Sequence, residues 1–201
     1  MVDFFVQGGG FMWPILIALL FGLAVVGERA YSLINSSSDT DKFFEDVNNT
    51  YDDSGKEKAI EFCESKSGPV ASIFYAGLSK MGRQKEEIEK AVQNAGGLEM
   101  AFLEKNMIWI NSVITIAPML GFTGTVVGMI KAFEDIKMAN DISPAVVAGG
   151  ISQALLTTAF GLIVAMIMQV SQNFFVSMID KLILDMEEQS IKIVEYLQNT
   201  K

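Results

Sequence analysis

The chain has no histidine and a single cysteine, Cys63. These scarcities exclude zinc sites built from His and Cys, Cys–His nucleophilic pairs and any internal disulfide framework. Basic residues are also few: 15 Lys and Arg against 24 Asp and Glu, a formal net charge of −9 and a pI near 4.5. With no basic stripe either, nucleic acid is excluded as a partner. Charge of either sign is absent from three long stretches, residues 4–27, 106–130 and 142–179. A helix needs about 20 predominantly apolar residues to cross a hydrocarbon core. Half of the 201 residues are apolar and mean hydropathy is +0.34. The pattern excludes a soluble one-core enzyme and predicts an all-α integral membrane protein with three transmembrane helices, two of them long enough to extend into the cytoplasm.

The distribution of Lys and Arg orients the chain, because cytoplasmic loops carry the excess. None precedes the first span, ten lie between spans one and two, two between spans two and three, and three follow the third. An N-terminus outside and a C-terminus inside therefore places thirteen of fifteen on the cytoplasmic side. A secretory signal needs a positive n-region, and no Lys or Arg precedes Arg29, so the first span reads as a retained anchor. The expected organisation is a periplasmic segment over 1–10, a first transmembrane helix over 11–34 and a cytoplasmic helical region over 35–105. A second transmembrane helix follows over 106–136, a periplasmic loop over 137–144, a third transmembrane helix over 145–175 and a cytoplasmic helix over 176–201.

Local signals refine this plan. Pro14 is tolerated just inside the first span, and Gly8-Gly9-Gly10 breaks it from an aromatic-rich stretch that suits the outer interface. Glu28-Arg29 is expected to cap the inner end of span one as a local ion pair. Residues 35–55 are acidic and turn-rich, with Phe43, Phe44 and Val47 at helical spacing, and read as solvated surface. Helix is expected over 56–65 and again over 70–81, interrupted by Gly68-Pro69. From 84 to 105 the apolar residues keep a helical period and nothing stops the helix before span two. Past Asp180, Leu182, Met186, Ile193 and Leu197 continue that period. Met100, Met107, Met119, Met129, Met166 and Met168 form no compact cluster of soft ligands and read as packing filler.

Spans two and three carry unusual polarity. Small residues recur four apart as Gly121/Thr125, Gly124/Gly128 and Gly150/Ala154/Thr158, with Gly161 further along, a spacing that lets helix backbones approach closely in lipid. Pro118 frees a backbone carbonyl and invites a kink. Thr125, Gln153, Thr157 and Thr158 are polar among Leu, Ile, Val and Met, and intramembrane polar groups face a bundle interior or a wet path. The spans hold no ionisable side chain. A chain without an intramembrane carboxylate cannot relay protons through a titrating acid of its own, so a second polypeptide must supply one if ions are moved.

The motifs from Ala117 to Ile130 and from Gly150 to Ala159 resemble the ExbB/TolQ/MotA proton-channel family, nearest its ExbB/TolQ branch. Met12-Trp13-Pro14, Glu28-Arg29, Ser67-Gly68-Pro69 and Ala76-Gly77-Leu78 extend the likeness over nearly the whole chain. The resemblance implies a homopentamer in the bacterial inner membrane around two copies of an ExbD/TolR-like partner, whose single span carries the missing aspartate. It also implies work passed outward, with a TonB/TolA-like protein as a further partner. Thr125 and Thr158 are then expected to line the ion path with Thr157 and Gln153, while Pro118, Gly121, Gly124, Gly128, Gly150, Ala154 and Gly161 shape the packing and pore. Well-known ExbB and TolQ members carry glutamate where Gln153 stands, and an amide cannot titrate. Paired Thr157-Thr158 resembles sodium-driven flagellar stators, so the translocated ion is H+ with Na+ as the alternative, and no cofactor or metal is expected.

Energised outer-membrane transport in the manner of ExbB is the leading expectation, with TolQ-like envelope maintenance beside it. A non-conducting membrane scaffold is the alternative of a different class. A self-sufficient transporter is disfavoured by three spans without inverted repeats or an intramembrane charge. An enzyme is not expected, because no nucleophile has a base beside it and no phosphate-cradling glycine loop follows a strand.

Overall fold

The computed structural model describes residues 2–37, 40–139 and 144–199. All regular structure among them is helical: α1 (Val2–Gln7), α2 (Met12–Ser36), α3 (Thr40–Ser54), α4 (Lys56–Ser65), α5 (Pro69–Ser79), α6 (Lys85–Leu103), α7 (Met107–Ala139) and α8 (Pro144–Asn199). Three stretches are long and apolar enough to cross a membrane, Met12–Ser36 and those within Lys85–Met138 and Ala148–Gln198. The loop expected over 137–144 falls in part on residues outside the described ones. The chain divides into two compact units, one of Met1–Arg29 with Asn106–Phe174, the other of Ala30–Lys105 with Phe175–Lys201.

In the first unit the side chains are sorted as lipid demands. Small residues such as Ala117, Ala132 and Ala154 are buried, whereas Ile17, Leu20, Phe122, Phe133, Leu155 and Val170 face outward. Lipid is as apolar as these side chains, so large ones can face outward without cost; those that are buried, such as Met12, Ile15, Ile110 and Met168, fill the contacts beside the small residues. Gly9, with φ +73°, makes the turn between α1 and α2, a backbone conformation open to glycine. Gly22 gives Met168 room, since a Cβ there would stand 2.6 Å from the sulfur. Of the methionines expected as filler, Met168 is fully buried while Met119 and Met166 are exposed.

The second unit packs like a soluble core around α5, where Pro69, Val70, Ala71, Ile73, Phe74, Gly77 and Leu78 are buried. Gly77 admits close neighbours: a Cβ there would meet Val92 at 3.3 Å and Ile193 and Leu197 at 3.4 Å. The region 35–55 differs from the expected solvated turns. Thr40–Ser54 form α3, whose acids stay exposed as expected but whose Phe43 and Phe44 rings meet Phe74 edge-on at 5.5 and 5.7 Å. Two of its acids are tied to α8: Asp41 accepts from Gln189 at 3.1 Å and Lys192 at 2.8 Å, and Asp52 accepts from Tyr196 at 3.2 Å. Helical spacing of the apolar residues outweighed the turn-forming composition. Burial pushes the Cys63 thiol up to about 12, so it behaves as a small apolar side chain.

Two further expectations are corrected. The helix over 84–105 does stop before span two, at residues 104–106, where Asn106 takes φ 65°. Asparagine tolerates the left-handed region, and its Nδ2 donates to Glu28 Oε2 at 3.2 Å. Glu28 and Arg29 do form the expected ion pair, with Nε to Oε2 at 2.8 Å, but it lies within α2 and not at its end, because α2 continues to Ser36. Arg29 is only 1% exposed while Glu28 is half in solvent.

Candidate functional site

The site lies where α7 and α8 cross antiparallel in the first unit. Counting down one helix while counting up the other, Ala132 meets Gly150, Gly128 meets Ala154, Gly121 meets Thr157 and Thr158, and Ala117 meets Gly161. A Cβ on Gly121 would stand 2.8 Å from the Thr157 carbonyl oxygen, and one on Gly161 2.5 Å from the Ala117 carbonyl oxygen. These are backbone-to-backbone approaches that a single methyl group would prop open. The small residues set four apart are therefore the contact line itself, and α7 remains helical through Pro118.

This closeness brings three hydroxyls and two carbonyls together. Thr125 and Thr158 are hydrogen-bonded hydroxyl to hydroxyl across the helices. Thr125 Oγ1 also lies 3.2 Å from the Gly121 and Ala154 carbonyl oxygens, and Thr158 Oγ1 lies 3.2 Å from that of Gly121. Both side chains are part-buried. Thr157 differs: it is 1% exposed, donates to the Ala154 carbonyl at 2.7 Å and lies 3.3 Å from that of Gly121. Its hydroxyl points into the helix contact beneath Gly124, whose Cβ would stand 2.7 Å from it.

Gln153 stands apart from this cluster. Its amide lies against the backbone of Gly9, where any Cβ would overlap Nε2. The same turn brings Phe11 over Gly124, with Phe11 Cβ 3.1 Å from where a Gly124 Cβ would be. Of the four polar residues expected together, Thr125, Thr157 and Thr158 share one cluster, and Gln153 lies beside the α1–α2 turn. Gly9 and Phe11 join the site as neighbours that the sequence reading did not pair with it. The signal for Gly9 was the glycine triplet, read only as a break; nothing in the sequence announces that Arg29 is buried.

The profile of the MotA/TolQ/ExbB proton channel family matches residues 65–188, more than half of the chain and all of the α7–α8 contact line. The chain belongs to this family. Among its relatives, the ExbB-like 3 protein of Synechocystis sp., named for biopolymer transport, is 28% identical over 173 residues, 85% of this chain and 82% of the relative. An ExbB homolog from the archaeon Methanothermobacter thermautotrophicus is 28% identical over 199 residues, covering 98% and 69%. The Tol-Pal system protein TolQ of Haemophilus influenzae is 28% identical over 172 residues, covering 75% and 72%. Family membership and three long apolar helices make the chain a multi-pass membrane protein of a transport family. Within the family match and among the described residues, the threonine cluster brings several polar side chains together on the α7–α8 contact line.

Proposed function

We propose that this family member is the channel and stator-like subunit of an ion-driven rotary motor in the bacterial inner membrane. It works as a pentamer with its N-terminus periplasmic and its C-terminus cytoplasmic. Two copies of an ExbD/TolR-like single-span partner sit inside and bring the carboxyl group that this chain lacks. The observation that supports the reading most is the Thr125–Thr158 hydroxyl pair, spanning two helices in segments free of charge. Unpaired burial of an ion or carboxyl group is prohibitive, and hydroxyls lower that penalty along a path. The driving force is adequate, at about 2.3 kcal/mol per elementary charge per 100 mV.

The proton is the ion proposed. The sodium alternative rests on the Thr157-Thr158 pair, but the Thr157 hydroxyl is turned into the helix contact and donates to the Ala154 carbonyl, which favours the proton. The work delivered is energised outer-membrane transport in the manner of ExbB, with TolQ-like envelope maintenance as its nearest alternative. In proteoliposomes holding the chain and its partner, Thr158→Val is expected to cut proton flux at least about tenfold while the complex still assembles. Undiminished flux would remove Thr158 from the path. It would favour the non-conducting scaffold, for which bulky changes at Gly124 or Gly150 break assembly and threonine changes are silent.

A further inference from the structure

The second unit holds most of the chain's charged residues and yet exposes large apolar side chains. On α6, Leu98 is 74% exposed, set among Ala91, Asn94, Ala95 and Ala101; on α8, Leu184 and Ile191 are 64% and 61% exposed. Apolar surface of this kind on a charged unit marks a contact with another molecule. The two faces do not meet within one copy. Towards α8, α6 turns Glu89, Val92 and Gly96, on the opposite side of the helix from Leu98, and these are met by Met186, Ser190 and Val194. The register of that antiparallel contact is fixed at two points: Gly96 stands by Met186, and Val92 and Ile193 both close on Gly77. Counting from these points, Leu98 is level with Leu184, Ala91 with Ile191, Lys90 with Glu195, and Lys105, just past the end of α6, with Asp180. The four charged residues are exposed, and none has an ion-pair partner among the described residues.

We propose that these two faces form a heterologous seam between copies of this chain, the Leu98 face of α6 in one copy packing against the Leu184–Ile191 face of α8 in the next. The proposal rests on the oligomeric reading above and deepens it by naming the surfaces that close the ring. Copies turned about an axis along these helices keep each residue at its height, so residues level within one copy are level across the seam. Leu184 then meets Leu98, and Ile191 enters the shallow surface around Ala91 and Ala95, with apolar area leaving water on both sides. Lys90 meets Glu195 near one end of the seam and Lys105 meets Asp180 near the other. The balance of charge agrees. Asp180, Glu187, Glu188 and Glu195 outnumber Lys181 on the α8 face, whereas Lys90 and Lys105 outnumber Glu87 on the Leu98 face. The acidic α8 face repels a second copy of itself, and the crossed arrangement brings opposite charges together. Because the two surfaces differ, each copy uses both, and the contact repeats until the ring closes.

The test is disulfide cross-linking of the full chain in membranes with its partner, in a Cys63→Ala background. Leu98→Cys and Leu184→Cys in the same chain are expected to give, on oxidation, a ladder of covalent oligomers on a denaturing gel, and either cysteine alone gives none. Both side chains are exposed, so neither change touches the core. Lys105→Glu is expected to slow the cross-linking by about two- to fivefold, the scale of a surface ion pair, and Asp180→Lys in the same chain to restore it. Three results overturn the seam and leave the pentamer standing: no ladder from a complex that native mass spectrometry shows to be intact, dimers from Leu98→Cys alone, or a loss at Lys105→Glu that Asp180→Lys does not restore. A ladder that closes at another size leaves the seam standing and removes the pentamer.

Discussion

The α7–α8 contact line makes a graded prediction. Ordinary van der Waals contact for a Cβ begins at 3.4 Å, and a methyl group on Gly161 would come within 2.5 Å of a carbonyl oxygen, a shortfall of about 0.9 Å against helix backbone. On Gly121 the nearest atom is again a carbonyl oxygen, at 2.8 Å, and the shortfall is about 0.6 Å. On Gly128 the nearest atoms are Ala154 Cβ at 3.3 Å and Cα at 3.4 Å, so almost nothing need move. Backbone cannot rotate away as a side chain can, so the helices must separate. A gap of about 0.5–1 Å already forfeits a quarter to a half of each dispersion contact along the seam. Overpacking of this kind costs about 1–3 kcal/mol. Gly161→Ala and Gly121→Ala are therefore expected to destabilise the first unit by about that much. Gly128→Ala is expected to cost well under about 1 kcal/mol, since the added methyl group finds ready-made contacts. The assay is reversible unfolding in mixed micelles with sodium dodecyl sulfate, followed by tryptophan fluorescence. Trp13 and Trp109, the chain's two tryptophans, both belong to this unit, and Trp109 meets Phe21 edge-on at 6.1 Å. Equal effects at the three glycines, or a Gly161→Ala protein as stable as the parent, would refute the reasoning.

Two further outcomes are expected. Asn106→Ala places a Cβ residue without a helpful side chain at φ 65° and deletes the bond to Glu28, and should cost about 1–2 kcal/mol in thermal unfolding; Asn106→Gly should recover much of it, because glycine meets that φ freely. Asp41 is held below its ordinary value of 3.8 by hydrogen bonds from Lys192 first and Gln189 second. A depressed carboxylate contributes stability that is present above its unfolded value and lost as pH falls through the folded one. The second unit should therefore loosen only below about pH 4, and Asp41→Asn should flatten that limb of a pH-dependent unfolding curve; an unchanged acid limb would discount the contact.

Much of the fold is legible in the residues because its rules are local. Charge-free runs at 4–27, 106–130 and 142–179 lead to three apolar helices, and Gly68-Pro69 marks the start of α5, where proline's missing N–H has no partner to lose. The small residues four apart announce a close helix contact, and the structure supplies one. The failures also have local causes. In α3 the turn-forming residues pointed one way and the Phe43–Phe44–Val47 spacing another, and burial against Phe74 decided it. At 104–106 a helical pattern continued in sequence while one asparagine turned left-handed, stabilised by a bond to a residue 78 positions away. No local signal carries such a bond.

Composition and periodicity alone determined that the chain is helical, that three helices meet the length a bilayer requires, and that any titrating acid at its centre must come from another polypeptide. They determined as much because chain length, charge and hydrophobic period act residue by residue. Which threonines touch was decided only when α7 and α8 packed. Thr157 and Thr158 are neighbours in sequence and chemically identical, yet one is sealed between helices and the other stays only part-buried. That difference is set by about 100° of rotation per residue around a helix, measured against a partner surface that exists only in the folded protein.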